Sequence, residues 1–495
     1  MYIPLERTFN AQTLTGSWVS VRGHLLYTGD QCLVYIAEDE QNKIPQVEKV
    51  AGQIGKEFDE KVYPVVKEYF GEPYDVDRNG KVILLLLDIQ DGYDPQTNNA
   101  YVAGYFDQTH MLSLSNSRYS NEADMLFLDT YPGLRKLSGE IDTVALQDLK
   151  ITMAHELQHL VNYSEKVIRQ KASPMDTWIN EGLSAAAEYL YLGRHVDWKI
   201  DYFNQVQYQI TVSQSYNPLK DENLWGQYFV SWGRWGNPLV NYSTVYLFFQ
   251  WLRIQAGIPL IYREILQDIY SDYRAVVNAF VKYVPDVPTE FMGEGWNWKH
   301  IFRTWLLANL LNQSTGLYGY KHKLTDSDGN IRYVYPRYFT ALSPSNLYPR
   351  GSFPPIDTQG KANLLAGDAV YVLLNQQKYF GETEVLAYAG VPLNDPAPHV
   401  SLGTGNYENS TVFLALNTKG IFDGYVFQTP ALIMISEQTQ VAITNLTPPG
   451  PQGGLVSKSI SGVGGRVHRP HPIDALLGLE PFSLNERAFV LPKSP

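Results

Sequence analysis

Residues 151–163 read ITMAHELQHLVNY, two histidines four apart with a glutamate directly after the first. A helix turns about 100° per residue, so positions i and i+4 share a face about one turn apart. On a helix, His155 and His159 therefore direct imidazole nitrogens at one point, as two zinc ligands do. Glu156, displaced by one residue, reaches a water at that point without touching an ion itself, which is where a general base belongs. Leu149, Met153, Leu157, Leu160 and Val161 provide apolar anchors on both sides of the pair. The bland alternative is two neutral histidines on an ordinary helix. With ten histidines in the chain, chance writes such a string in on the order of one comparable sequence in a hundred.

A hydrolytic zinc site needs a third protein ligand and an open position. SPMDTWINEGLSAAAEYLYLG, residues 173–193, offers the ligand on a helix with Ser173 as N-cap, Pro174 as first helical residue, Asp176 in the first turn and Gly193 at the end. Glu181 lies 22 residues beyond His159, a spacing that suits a partner helix, and Ser184 and Glu188 share its face. Most helical glutamates are merely solvated. This one stands among Trp178, Ile179 and Leu183, and the small residues of GLSAAA let two helices approach closely.

The elements that must position these groups are legible in outline. HLLYTGDQCLVYIA (24–37) reads as strand, turn, strand. From Val47 a helical face runs through Val50, Ile54 and Phe58; Pro64 kinks or interrupts it, and Gly71 and Pro73 stop it. VILLLLDI (82–89) has the length of a buried strand, and AYVAGYF (100–106) and MLFLD (125–129) are two more. The motif helix follows, then a second from about Pro174 to Leu192, then a mainly helical stretch over 243–311. Strands first and helices after is the order of an α+β unit. The domains expected are 1–150 (an α/β part with an edge strand), 151–345 (a helical part with the metal site), 355–446 (short β-prone runs forming a small β-sandwich) and 447–495 (linker and an extended or docked tail).

Bulk composition narrows the classes. At 495 residues, 44% hydrophobic and 18% charged, the chain is globular and too long for one core. A net charge of −12 without a Lys/Arg cluster speaks against nucleic acid as a partner. No run of eighteen apolar residues offers a transmembrane helix. The single cysteine, Cys32, excludes an intramolecular disulfide and a Cys-based zinc cluster. MYIPLERTFN lacks the basic and apolar regions of a signal peptide.

HELQH followed by NEGLSAAAEY resembles the gluzincin metallopeptidases. More narrowly, the succession DVDRNGK–VILLLLDI, AGYF, SNEADMLFLD, AHELQHLVNY, WINEGLSAAAEYL, NYSTVYLFFQWL and FRTWLLANLL resembles the bacterial hyicolysin-type family over roughly residues 30 to 320. The resemblance implies a zincin-like fold with a mixed sheet, zinc held by His155, His159 and Glu181, and Glu156 as general base. It also implies an edge strand that pairs with extended substrate, for which AYVAGYF is the candidate. Thermolysin-like members carry an Asp four residues after the ligand Glu, where this chain has Ala185, so Glu188 or another residue takes that role or the first histidine is held differently. Gluzincins use a Tyr or His as a second oxyanion donor. Tyr242 is the first candidate here, Tyr246 the second and His195 the third.

Other strings carry less. DVDRNG places Asp75, Asp77 and Asn79 at alternating positions, like half of a Ca2+ loop, but the twelfth position is Leu86 rather than Glu. An Asn-Gly turn into a strand accounts for it without metal. His468 and His471 read as solvated. SWGRWGNP (231–238) and EGWNWKH (294–300) read as packing between helices before they read as substrate subsites. The function expected is a secreted or surface-bound bacterial zinc endopeptidase acting on protein or peptide, with a cytoplasmic location left open. The alternatives are an inactive binding or adhesion protein of the same fold, against which Glu156 argues, and a zinc aminopeptidase on small peptides, which needs further acidic residues to hold a free amine.

Overall fold

The computed structural model describes residues 3–13, 16–96, 100–212, 238–288, 293 and 295–334, and short strands beyond them. In chain order the strands are β1 (Glu6–Gln12), β2 (Trp18–Thr28), β3 (Cys32–Ala37), β4 (Val82–Leu87), β5 (Ala100–Tyr105), β6 (Met125–Asp129), β7 (Tyr338–Thr340), β8 (Asn363–Leu364), β9 (Ala369–Leu373), β10 (Val385–Ala387), β11 (Val400–Ser401), β12 (Val412–Leu414), β13 (Ala431–Ile435) and β14 (Ala488–Pro492). The helices are α1 (Glu38–Gln41), α2 (Val47–Glu57), α3 (Tyr63–Tyr69), α4 (Thr143–Tyr163), α5 (Thr177–Leu192), α6 (Asp197–Val212), α7 (Pro238–Ala256), α8 (Ile261–Gln267), α9 (Tyr273–Tyr283) and α10 (Trp298–Leu311). The chain divides into two units. The first comprises Met1–Arg194, Ile258–Ala279 and Val467–Pro495, and the second His195–Gly257 and Phe280–Arg466.

A seven-stranded mixed sheet in the order β1-β2-β3-β4-β6-β5-β14 organises the first unit. Every residue of CLVYIA in β3 and VILLLL in β4 is buried, the unbroken apolar run of strands covered on both faces. These two pair in parallel, as do β4 and β6, while β1-β2, β2-β3, β6-β5 and β5-β14 are antiparallel. Phe9, Leu33, Tyr35, Ile83, Leu85, Met125 and Phe127 form one core layer. Helices α2 and α4 pack on the sheet.

Pro64 does not break its helix. Residues Phe58–Val62 form a π-helical turn just before it, and Pro64 stands in the first turn of α3. The wider turn lets the helix pass a residue that lacks an N–H and crowds the preceding carbonyls. Gly71, at φ 128°, ends α3 as expected.

Two expectations need correction. Helix α5 begins at Thr177 with Asp176 at its N-cap, not at Ser173 and Pro174. The Asp176 N–H bonds the Ser271 carbonyl and the Ser271 hydroxyl bonds the Ser173 carbonyl, which ties the segment to residue 271 before the helix can start. Strand β5 is not an open edge, because β14 pairs along its outer side. The tail segment AFVLP is apolar and strand-forming, and an uncovered edge is a template for just such a segment.

In the second unit Phe248, Trp251, Phe280, Trp296, Trp298, Phe302 and Trp305 form an aromatic cluster. EGWNWKH thus contributes Trp296 and Trp298 to packing, while most of SWGRWGNP lies outside the described residues. Strands β7, β9 and β13 form a three-stranded sheet, and β10-β12 and β8-β11 pair in twos. The expected sandwich as a whole, and His468 and His471, lie outside the described residues. Among the described residues no helix is long and apolar enough to cross a membrane.

Candidate metal centre

Helix α4 carries the motif. Asp142 caps its start by accepting the Val144 and Ala145 N–H groups, and Leu149, Met153, Leu157, Leu160 and Val161 are all buried. The helix lies close on β5. A Cβ at Gly104 would stand 2.8 Å from the Phe127 carbonyl oxygen and 2.9 Å from Thr152 Cγ2, so this approach requires a glycine. Against α4 packs α5, whose Gly182, Ser184, Ala185, Ala186 and Ala187 are buried. These small residues bring Glu181 to the histidines.

The three side chains converge. His155 Nε2 lies 3.1 Å from His159 Nε2 and 3.3 Å from Glu181 Oε2, and His159 Nε2 lies 3.5 Å from the same oxygen. Two ligands about 2.0–2.1 Å from a tetrahedral zinc stand about 3.3–3.4 Å apart. The buried Glu181 Oε2 makes no hydrogen bond of good geometry. Donor types, spacing and this buried oxygen all fit a zinc ion, and the group could hold one.

The outer nitrogens are held differently. His155 Nδ1 meets Glu188 Oε1 at 2.7 Å, so Glu188, one turn beyond Ala185, takes the place of the missing Asp. His159 Nδ1 meets Ser184 Oγ at 3.1 Å, and the Ser184 hydroxyl donates to Gln158 Oε1 at 2.5 Å. With each Nδ1 donating outward, each Nε2 keeps its lone pair for a metal. Gln158 has no signal in sequence beyond being a polar residue inside the motif.

Charge follows from burial and pairing. Burial works against a charged His155, but Glu181 and Glu188 outweigh it and carry the imidazole up to about 9. Burial likewise opposes ionised Glu181, and His159 and His155 overcome it and bring the carboxyl down to about 2. Glu156 is pushed up to about 7, first by burial, with the histidines and the Phe106 amide opposing. Its Oε2 accepts the Phe106 N–H at 2.8 Å, whereas its Oε1 is buried with no hydrogen-bond partner. Phe106 acts through its backbone, so no side-chain signal announced it.

Tyr242, Tyr246 and His195 all belong to the second unit and are buried there. His195 Nε2 donates to the Lys323 carbonyl at 2.9 Å, and its Nδ1 accepts from the Tyr246 hydroxyl at 2.9 Å. That hydroxyl also accepts the Val196 N–H at 3.0 Å. Burial brings His195 down to about 4, so it is a neutral structural histidine locked to Tyr246. Tyr242 lies on α7, its ring 5.8 Å from Lys199 Nζ.

The second acidic cluster differs from the expected Asp75, Asp77 and Asn79. Asp124 joins the two aspartates. Asn79 is spent in the turn, its side chain donating to Asp77 and accepting the Lys81 N–H. Asp75 accepts the Asn79 and Gly80 N–H groups, which accounts for the string without a cation.

No family model matches the chain. Over 332 residues it is 34% identical to the neutral metalloprotease ShpI of Staphylococcus hyicus, a match covering 66% of this chain and 66% of that protein, so it spans just under two thirds of that relative. Among solved structures, Legionella pneumophila aminopeptidase A in complex with aspartic acid matches 61% of this chain and 27% of its own at 9% identity and a TM-score of 0.28, a likeness too low to carry an argument. With a metalloprotease at this identity and three buried zinc-type donors converging behind HELQH, the chain is similar to the bacterial metalloproteases in both sequence and donor set.

Proposed function

We propose that the protein is a zinc endopeptidase that hydrolyses internal bonds of peptides and proteins, with His155, His159 and Glu181 as ligands and Glu156 as general base. The observation that carries this reading is the convergence of the three donor atoms within 3.1–3.5 Å of one another beside Glu156. When bound, zinc supplies a Lewis acid that lowers the pKa of a water and polarises the scissile carbonyl. The chain does the rest. Glu188 and Ser184 fix the imidazole planes. The Phe106 N–H pins one oxygen of Glu156 and leaves the other to take the proton of the attacking water and return it to the departing amine.

The aminopeptidase alternative needs carboxylates to hold a free amine, and Glu181 and Glu188 are already committed to the histidines. Secretion or display at the cell surface is part of the same proposal. A Ca2+ ion at Asp75, Asp77 and Asp124 is a separate and weaker reading. N-acetylated peptide libraries test the main one. Internal cleavage of blocked peptides is expected, and cleavage confined to free N-termini, one residue at a time, contradicts it.

A further inference from the structure

Within HELQH, Gln158 is polar yet fully buried. Its Oε1 stands 2.5 Å from the Ser184 hydroxyl, which in turn stands 3.1 Å from His159 Nδ1. Its Nε2 is buried with no hydrogen-bond partner, so the amide is held through its oxygen alone. An unpaired buried donor destabilises a fold, and packing by itself does not call for a glutamine here. A serine hydroxyl has one proton, and an amide oxygen only accepts. The Ser184 proton therefore goes to Gln158, and the hydroxyl oxygen is left to accept from His159 Nδ1–H. The relay runs one way.

That direction decides what the other face of the ring can do. His159 Nε2 lies 3.5 Å from Glu181 Oε2 and 3.1 Å from His155 Nε2. A proton on Nε2 would be held there by the Glu181 carboxylate, and a protonated nitrogen has no lone pair to give a metal. At His155 the outer partner is the Glu188 carboxylate, which accepts from Nδ1 and does not donate. At His159 the outer partner is a hydroxyl, which donates as readily as it accepts. With no acceptor behind it, Ser184 is free to donate to Nδ1 and leave the ring proton on Nε2, facing Glu181. Gln158 removes that option.

We propose that Gln158 is a positioning residue that sets the tautomer of His159 through Ser184 and so keeps Nε2 open for a metal. The metal half of this statement rests on His159 as a zinc ligand; the tautomer half rests on the hydrogen bonds alone. Gln158 and Ser184 are then not independent, because losing Gln158 does its harm through the hydroxyl of Ser184.

A double-mutant cycle in the full chain tests this dependence. Gln158→Leu removes the acceptor and is expected to weaken zinc binding about 10–100-fold in chelator competition, the usual cost of losing an outer partner. Adding Ser184→Ala removes the hydroxyl that reverses the relay, so the double variant is expected to bind zinc more tightly than Gln158→Leu alone. Damage to packing gives the opposite order, a double variant weaker than Gln158→Leu, and that result overturns the proposal. Zinc affinity unchanged in Gln158→Leu overturns it as well. 15N-histidine spectra of the zinc-free protein at alkaline pH read the ring directly, with His159→Asn identifying its signals. The proton is expected on Nδ1 in wild type and in Gln158→Glu, whose carboxylate still accepts, and on Nε2 in Gln158→Leu. A wild-type proton on Nε2 contradicts the relay, whether or not Gln158→Leu folds. The expected tautomers in a wild type that binds no zinc sink the ligand assignment alone. Zinc binding by a wild type whose tautomer matches that of Gln158→Leu sinks this proposal alone.

Discussion

The Phe106 N–H and the Glu156 carboxylate are joined at 2.8 Å, so the end of β5 and the motif helix meet at the proposed general base. Any change in the spacing of strand and helix therefore moves an oxygen of that proposed base. Gly104→Ala is the sharpest probe, since its new Cβ meets the rigid Phe127 carbonyl as well as Thr152. Overpacking of this kind costs about 1–3 kcal/mol. Urea denaturation should register that loss, and the surviving folded protein should show a lowered kcat. Unchanged kcat in the variant contradicts the close-approach argument.

Glu188 and Ser184 should separate by magnitude. Glu188→Ala removes the carboxylate on His155 and is expected to weaken zinc binding about 10–100-fold in chelator competition, the usual cost of losing such a partner. Glu188→Gln, which still accepts from Nδ1, should recover part of it. Ser184→Ala breaks a neutral relay to Gln158 and should cost less. Equal losses for Glu188→Ala and Ser184→Ala contradict the unequal roles.

Away from the site, Arg135 and Glu40 form a buried ion pair at 2.9 Å, with Thr130 adding a hydrogen bond to Glu40. Arg135→Met removes the buried partner but leaves Glu40 to Lys43 and Thr130, so it should destabilise by less than the cost of a carboxylate left with no partner, about 3–5 kcal/mol. Burial raises Glu40, but Arg135, Lys43 and Thr130 outweigh it and hold the carboxyl below its ordinary value. A lowered folded-state value means the stabilisation is present above the unfolded carboxyl's range and fades as pH falls through the folded value. The gap between wild type and variant should narrow in acid; a gap that widens there contradicts the assignment.

Cys32 is buried on β3, and its desolvation pushes the thiol well up. It should resist a thiol reagent in the native protein and react once urea unfolds the first unit. Rapid labelling of native protein contradicts the burial of β3.

How far the sequence reached can be judged residue by residue. His155, His159, Glu181 and the Glu188 option were legible because helix periodicity converts spacing into a shared face. The strands at 82–87 and 125–129 were legible because parallel central strands are apolar throughout. Long-range backbone pairing was not. The Phe106 amide on Glu156, the hold of Ser271 on the start of α5 and the cover of β14 over β5 each join segments tens to hundreds of residues apart through main-chain atoms, which leave no periodic trace. Nor could spacing distinguish Asn79 from Asp124 as the partner of Asp75 and Asp77, since Asp124 arrives from the distant segment just before β6.

Zinc content and peptide cleavage measured together on wild type and Glu156→Gln test the central claim most directly. One zinc per chain in both proteins is expected, with cleavage by the variant down by about 10²–10⁴-fold, the usual contribution of a positioned general base. A variant that keeps its zinc and cleaves as fast as wild type contradicts the account, as does a wild type that binds no zinc.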